Sequence, residues 1–358
     1  MKINLRYSVF TTSIFACYFG IAYLLFESDN GEVDFRPLYT GPVEQVSYEA
    51  LRHLPQYNIT FSDKIFNLTY LMRPMGSRCK DKVVFVLVIS TFSAFKKREL
   101  IRRTWANSDH TTHAVVWFVI GKDDARYPSA ELNAEHETYK DIILADIPDE
   151  YNSLILKVLA GFHIYNTYCR SVPFVLKIDD DAVVLPDRLA HFINTEYLQP
   201  SDKAIYGIVW QNGTVIRQTW HKWYVPEDVY APDTYPSYCN GPAYLLTSKA
   251  VGAIMEKTKE AKFMILEDVM LTGILAQKAG VTHFDLRGLF SFDCSGRAGP
   301  QTALSYWTEE ERHKLCFKSL VSCDSYGYPK AAVLYHDPWL PALESETFYE
   351  GLRSVKCK

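Results

Sequence analysis

Phe174-Val175-Leu176-Lys177-Ile178-Asp179-Asp180-Asp181 carries a mostly apolar set of strand-forming residues straight into three carboxylates. Such a run reads as a buried strand of a parallel sheet. Acids at its end sit at the carboxyl edge, where open α/β folds bind ligands. Three neighbouring carboxylates repel one another unless a cation is shared. Their hard oxygens suit Mg²⁺ or Mn²⁺, and such ions hold phosphates in turn. Composition alone also admits a solvated acidic loop or a helix N-cap, where aspartate is at home.

Upstream, strand and helix signals alternate. Val83 to Ser90 and Ala114 to Gly121 are apolar strands, and Ile142 to Ala145 is a shorter one. Between them, Lys96 to Trp105 and Glu131 to Tyr139 read as helices. Tyr151 to Tyr168 has helical spacing in Leu154, Val158, Phe162 and Tyr165. This order predicts right-handed βαβ units and a mostly parallel central sheet. Neither G-x-G-x-x-G nor G-x-x-x-x-G-K-[ST] occurs, which excludes a dinucleotide or P-loop site by motif.

Three further places carry chemistry. Arg98 and Arg102 are i and i+4 on the helix after the first strand, so they share a face at the edge where the aspartates lie. Two guanidiniums beside a helix N-terminus suit a diphosphate; a plain solvated basic face has the same spacing. Glu267-Asp268-Val269 opens an apolar helix, Met270 to Ala279. There the acids are either dipole partners or a carboxylate general base. Lys222-Trp223-Tyr224 and Tyr235 to Tyr244 place aromatics with Gly241 in loops, which suits sugar stacking or simple loop packing.

The N-terminus bears on compartment. Residues 9–26 hold 18 uncharged residues, about 27 Å as a helix. Lys2 and Arg6 precede them and four acids follow by Asp34, so a single anchor with a cytosolic N-terminus is expected. A cleaved signal peptide competes, but no clear small-residue cleavage site follows the run. Residues 1–8 are then a tail, 27–78 a proline-containing luminal stem, and 79–358 one large domain. Seven of eight cysteines lie beyond the apolar run, where an oxidising lumen pairs most and leaves one over. Sequons at Asn58, Asn67 and Asn212 are expected glycan acceptors. A net charge of −4 without a basic block argues against nucleic acid as partner.

Six elements in order, none specific alone, resemble one family. They are Ile101-Arg102-Arg103-Thr104-Trp105, Tyr151-Asn152-Ser153-Leu154 with Lys157, Lys177-Ile178-Asp179-Asp180-Asp181, Lys222-Trp223-Tyr224, Tyr238-Cys239-Asn240-Gly241 and Glu267-Asp268-Val269. Across about 83 to 340 the chain resembles inverting β-1,3-glycosyltransferases of the galactosyltransferase and N-acetylglucosaminyltransferase type, more distantly Fringe-like enzymes. The resemblance implies an α/β GT-A fold, a UDP-sugar donor (UDP-galactose or UDP-N-acetylglucosamine), Mn²⁺, and an oligosaccharide acceptor on lipid or protein. It also implies a type II Golgi membrane protein with a luminal catalytic domain.

Carried over position by position, it implies Asp268 as general base and Asp179, Asp181 and His336 as metal ligands. His283 is a poorer match for the late histidine. Arg98, Arg102, Asp179, Asp180, Gly241 and Glu267 fall to the donor, and Lys222, Trp223 and Tyr224 to the acceptor or sugar loop. Two positions depart from the family. Glycine follows Glu267-Asp268-Val269 one residue late, at Gly273, and Asn240 stands where serine is usual. Two rival readings are a HAD-like phosphatase or phosphotransferase, on Asp179-x-Asp181 after an apolar strand, and a catalytically silent glycan-binding relative. The HAD motif normally opens its domain, whereas several elements precede it here. An intact acid triplet and Asp268 weigh against the silent relative.

Overall fold

In the computed structural model the described residues are 17–18, 21–27, 33–37, 56–74, 76–195, 198, 202–292, 323, 327, 329–335 and 345–357. They fall into two compact units, Met1–His53 and Leu54–Lys358.

The first unit holds β1 (Cys17–Tyr18), β2 (Ile21–Glu27) and β3 (Val33–Pro37), with β2 antiparallel to both neighbours. The helix expected over 9–26 is therefore corrected where it is described. Its two described pieces are strands, and its other positions lie outside the described residues. An uncharged run of Ile, Tyr, Leu and Phe predicts burial, but its lack of periodicity leaves helix and strand undecided. Among the described residues no helix is long and apolar enough to cross a membrane.

Among the described residues of the second unit there are fourteen further strands. In chain order they are β4 (Gln56–Thr60), β5 (Ile65–Met72), β6 (Val84–Ile89), β7 (Ala114–Lys122), β8 (Ile142–Pro148), β9 (Phe174–Asp179), β10 (Val183–Val184), β11 (Ala204–Gly207), β12 (Val209–Trp210), β13 (Tyr238–Cys239), β14 (Ala243–Thr247), β15 (Thr282–Asp285), β16 (Phe290–Phe292) and β17 (Val333–Tyr335). Nine form one sheet in the order β15-β11-β14-β9-β6-β7-β8-β5-β4. Its centre, β9-β6-β7-β8, is parallel as expected. Toward the edges, β14 and β11 on one side and β5 and β4 on the other pair antiparallel. The sheet is thus mixed rather than mostly parallel.

Strand β6 shows how the core is divided. All six of its residues are buried. Val84, Val86 and Val88 pack with Ile101 and Trp105 of the Arg-bearing helix and its end. Phe85, Leu87 and Ile89 face the other layer with Ile155, Val158 and Phe162. A central parallel strand covered on both faces has to be apolar throughout. Among the described residues the helices include α1 (Phe95–Arg103), α2 (Ala130–Tyr139), α3 (Leu154–Ile164), α4 (Pro186–Asn194) and α5 (Ser248–Glu256). On α3, a Cβ at Gly161 would meet Leu87 Cδ2 at 2.4 Å, so helix and sheet approach as closely as glycine allows.

Two features lie upstream of the expected domain start. The hairpin β4–β5 belongs to the large sheet, so residues 54–78 of the expected stem are part of this unit. Cys79 is bonded to Cys169, tying the turn Gly76–Cys79 to the end of the helix that follows Ser153. Cys323 is bonded to Cys357. Cys239 is unpaired and buried, and Cys294 and Cys316 lie outside the described residues.

Candidate active site

Parallel pairing sets Ile89 beside Asp179, so β6 and β9 end together and the three aspartates emerge at the carboxyl edge. They are not equivalent there. Asp180 is buried and spent: its Oδ2 accepts from Ser90 Oγ at 2.8 Å and its Oδ1 from Lys97 Nζ at 2.6 Å. Asp181 is exposed and makes no hydrogen bond or salt bridge to the described residues. Asp179 is intermediate, with its side chain about one third exposed (32%) and Oδ1 held by Lys177 Nζ at 2.6 Å.

Lys177 is the hidden cation of the site. It lies two residues before Asp179, hence on the same strand face, and is fully buried. Its ammonium also donates to Gly241 O at 2.7 Å and lies 3.6 Å from Glu267 Oε2. Glu267, 3% exposed, accepts a further bond from the Tyr244 hydroxyl. Tyr244 sits opposite Lys177 in the β14–β9 register. One buried cation thus binds two carboxylates. Burial raises Glu267 to about 7 and Asp179 to about 6, with Lys177 opposing both shifts. Burial alone would lower Lys177, yet Asp179 and Glu267 hold it above the ordinary lysine value.

That knot clamps Glu267 and leaves its neighbour to face outward. Asp268 is half-buried, and its Oδ1 accepts from Val269 N at 2.8 Å. A Cβ at Gly241 would lie 3.1 Å from Asp268 Oδ2, so glycine lets this backbone reach the carboxylate. Burial raises the Asp268 pKa, against the pull of the Val269 amide and Lys177. A carboxylate held this way has its geometry set and its basicity increased, as a general base requires.

Beyond Glu267 the helix is a π-helix, Val269–Leu275, continuing into Ala276–Lys278. This explains the late glycine: a π-turn takes in one extra residue. Gly273 packs against Tyr238, where a Cβ would meet Tyr238 Cβ at 3.1 Å, and Asp268 keeps its place at the helix start. Thr272 Oγ1 donates to Asp268 O at 2.6 Å and accepts from Cys239 N at 2.9 Å. The Thr272 carbonyl accepts from His283 Nε2 at 2.5 Å. His283, the weaker expected metal ligand, is thus used to satisfy a buried helix carbonyl.

Aromatic side chains crowd the same side. The indole of Trp223 hydrogen-bonds Tyr151, and Lys222 Nζ lies 4.3 Å from the Tyr151 ring centroid. Two distant sequence elements meet here. Burial raises the Tyr151 hydroxyl pKa, and Asp268, Glu267 and Asp179 add to the rise, which places Tyr151 beside the acids. Trp220 is the most exposed large hydrophobic among the described residues, at 82%. Tyr224 is half-buried and bridges to Ile216.

The arginines are a correction. Arg98 is fully buried, gripping Glu135 through Nε at 2.8 Å and Nη2 at 2.7 Å and donating to Thr91 O at 2.5 Å. Arg102 bridges Glu135 and Asp141. Both guanidiniums are consumed in tying α1 to α2 and β8, so neither is presented to a diphosphate. At this edge, among the described residues, Lys97 is half-exposed and bonded to Asp180, and Lys177 lies buried beneath. Lys157 is likewise spent on Asp149, at 2.8 Å. Sequence periodicity placed Arg98 on the correct helix face but held no record of the acids packed against it.

The remaining positions are placed as follows. His336 lies outside the described residues. However, Val183 pairs with Leu334 antiparallel, so β17 runs toward the Asp181 end of β10. Among the described residues no three His, Cys, Asp or Glu side chains converge as a metal cluster. Asn58 and Asn67 are both exposed and directly opposite each other on the edge hairpin. Asn212 is exposed in a loop with φ of +53°.

Residues 96–287 match the galactosyltransferase family model. The chain is 30% identical over 250 residues to beta-1,3-galactosyltransferase bre-2 of Caenorhabditis elegans, covering 66% of this chain and 68% of that one. It is 29% identical to mouse beta-1,3-galactosyltransferase 1 over 216 residues, 59% of this chain and 66% of that one. A third relative, lactosylceramide 1,3-N-acetyl-beta-D-glucosaminyltransferase B of Xenopus laevis, is 26% identical over 268 residues, 72% of this chain and 71% of that one. The chain thus spans about two thirds of the length of these relatives.

Proposed function

The chain belongs to the galactosyltransferase family, and from that premise we propose that it transfers galactose or N-acetylglucosamine from a UDP-sugar to a glycan hydroxyl in β-1,3 linkage. The reading includes a GT-A nucleotide-sugar fold and inversion at the anomeric carbon. The observation that carries it is Asp268: a half-buried carboxylate, fixed by Val269 N and the close approach of Gly241, between the acid edge and the aromatic rim.

Asp268 accepts the proton of the attacking acceptor hydroxyl, and its backbone contacts keep the carboxylate aimed while that proton moves. Lys177 is shared by Glu267 and Asp179 below and offsets part of their negative charge beside Asp268. No covalent nucleophile is required, because inversion needs a single in-line displacement. Tyr151, Trp223 and Lys222 flank the acceptor side.

The donor chemistry of the edge fits a hard divalent ion. Asp181 is uncommitted, Asp179 has one oxygen beyond the Lys177 contact, and carboxylate oxygens suit Mn²⁺ or Mg²⁺. Asp179 and Asp181 would hold it, with His336 as third protein ligand. When bound, Mn²⁺ supplies positive charge to the departing diphosphate. Asp181→Asn should weaken both metal and UDP-sugar binding, read by calorimetry. Excess chelator should abolish wild-type transfer and added Mn²⁺ restore it. Full rate in chelator would sink the metal assignment.

We place this activity in the Golgi lumen. The disulfides Cys79–Cys169 and Cys323–Cys357 support the placement. A form in which residues 1–34 are replaced by a cleavable signal should be secreted, active and N-glycosylated. N-glycosidase should lower its mass, and Asn58→Gln with Asn67→Gln should remove most of that shift. An unglycosylated, active secreted protein would refute the glycan assignment at the hairpin.

A further inference from the structure

Trp210 is an exposed aromatic outside the six sequence elements. It ends β12 opposite Tyr238 of β13 and is 41% exposed. Three groups fix it in that exposed position. Its Nε1–H donates to Asn240 Oδ1 at 3.0 Å. The Arg287 guanidinium lies 5.7 Å from its ring centroid, and Arg287 Nη2 donates to Val209 O at 2.9 Å. Asp285 in turn holds Arg287 Nε at 3.2 Å. Indoles are usually highly buried, and their N–H finds a partner when they are. Here the N–H is already used by Asn240, so the part left to solvent is apolar ring.

The position joins this ring to the chemistry. Asn240 immediately precedes Gly241, whose backbone packs on Asp268. Trp210 therefore lies on the Asp268 side of the site, supported by β12 and β13. The free carboxylate Asp181 and Lys97 lie instead by the ends of β6 and β9, where a diphosphate belongs. A ring on the side of the base serves the acceptor, whose hydroxyl the base must reach. Asn240 also stands where the family usually has serine. Serine's hydroxyl ends roughly 1 Å nearer its own Cβ than the asparagine carbonyl oxygen does. A serine at this position would not reach the Trp210 nitrogen without a shift of backbone.

We infer that Trp210, held by Asn240 and Arg287, is the stacking platform for the ring of a neutral pyranose acceptor, and that the Asn240–Trp210 pair sets acceptor choice in this chain. The inference rests on the transferase reading and adds a specificity residue to it.

The test uses the full chain with β-galactosyl and β-N-acetylglucosaminyl aryl glycosides as acceptors and UDP-galactose and UDP-N-acetylglucosamine as donors. Trp210→Ala should raise the acceptor KM about tenfold, the scale of one well-placed aromatic contact. Trp210→Phe should recover most of that loss, and Asn240→Ser should raise the acceptor KM by about three- to fivefold. Donor KM should stay within about twofold throughout. A merely structural role would lower thermal stability and scale all constants together, with no rescue by phenylalanine. An unchanged acceptor KM in Trp210→Ala, or a loss confined to donor KM, overturns the inference alone. A wild-type protein that releases no UDP with any donor–acceptor pair overturns the transferase reading and this inference with it.

Discussion

Replacing Asp268 with asparagine is expected to lower turnover by roughly 10²–10⁴-fold, the usual contribution of a positioned proton acceptor. Asparagine keeps the shape and can still accept from Val269 N through its carbonyl oxygen, so the segment should stay folded. UDP affinity should survive, because the base touches the acceptor and not the diphosphate. The pH profile is a second readout. Burial raises the Asp268 carboxyl above its ordinary value, and the base works ionised. The rate should therefore fall as pH drops, along a limb above the range of a free aspartate, and the variant should lose that limb. Glu267→Gln should behave differently. Its carboxyl is buried against Lys177 and Tyr244, so the loss should show mainly in the melting curve. Near-normal turnover in a folded Asp268→Asn protein would remove Asp268 as the base.

Arg98→Met should cost about 3–5 kcal/mol of folding free energy, the range for removing one partner of a buried ion pair. Glu135 would keep a single guanidinium, that of Arg102, and the carbonyls of Thr91 and Phe92 would lose a donor. Denaturant titration measures this directly. If Arg98 instead served the diphosphate, the variant would unfold like wild type and lose UDP affinity. That pattern would restore the donor role inferred from its spacing.

The contrast between these two residues shows what a linear chain reveals. The place of Asp268 at a helix start was legible because the acid pair and the apolar run after it are adjacent in the chain, while its role as base came from the family resemblance. The central strands were legible for the same reason, since β6, β7 and β9 are apolar on both faces. Arg98 was not, because Glu135 lies 37 residues away and no helical period encodes a partner on another helix. Lys177 belongs to the acidic element but received no role from sequence, and only the β14 register brings Tyr244 beside it. The π-helix left a readable trace in the late Gly273. That trace raised a question about register without answering it, and the widened turn supplies the answer.

The hairpin β4–β5 was misassigned because Pro55 and Pro74 bracket it and made the region look like a tether. Yet Tyr57, Ile59, Phe66, Leu68 and Tyr70 all turn inward and pack with the core. Tyr70 donates its hydroxyl to Ala160 O at 3.0 Å, joining the hairpin to α3. Trimming therefore has a limit that the motifs do not reveal. A shortened protein starting at residue 79 keeps all six motif elements but loses two strands, laying bare the hydrogen-bonding edge of β8 to neighbouring molecules. The indispensable part of this chain begins no later than Gln56, in a segment where no catalytic signature would lead anyone to stop cutting.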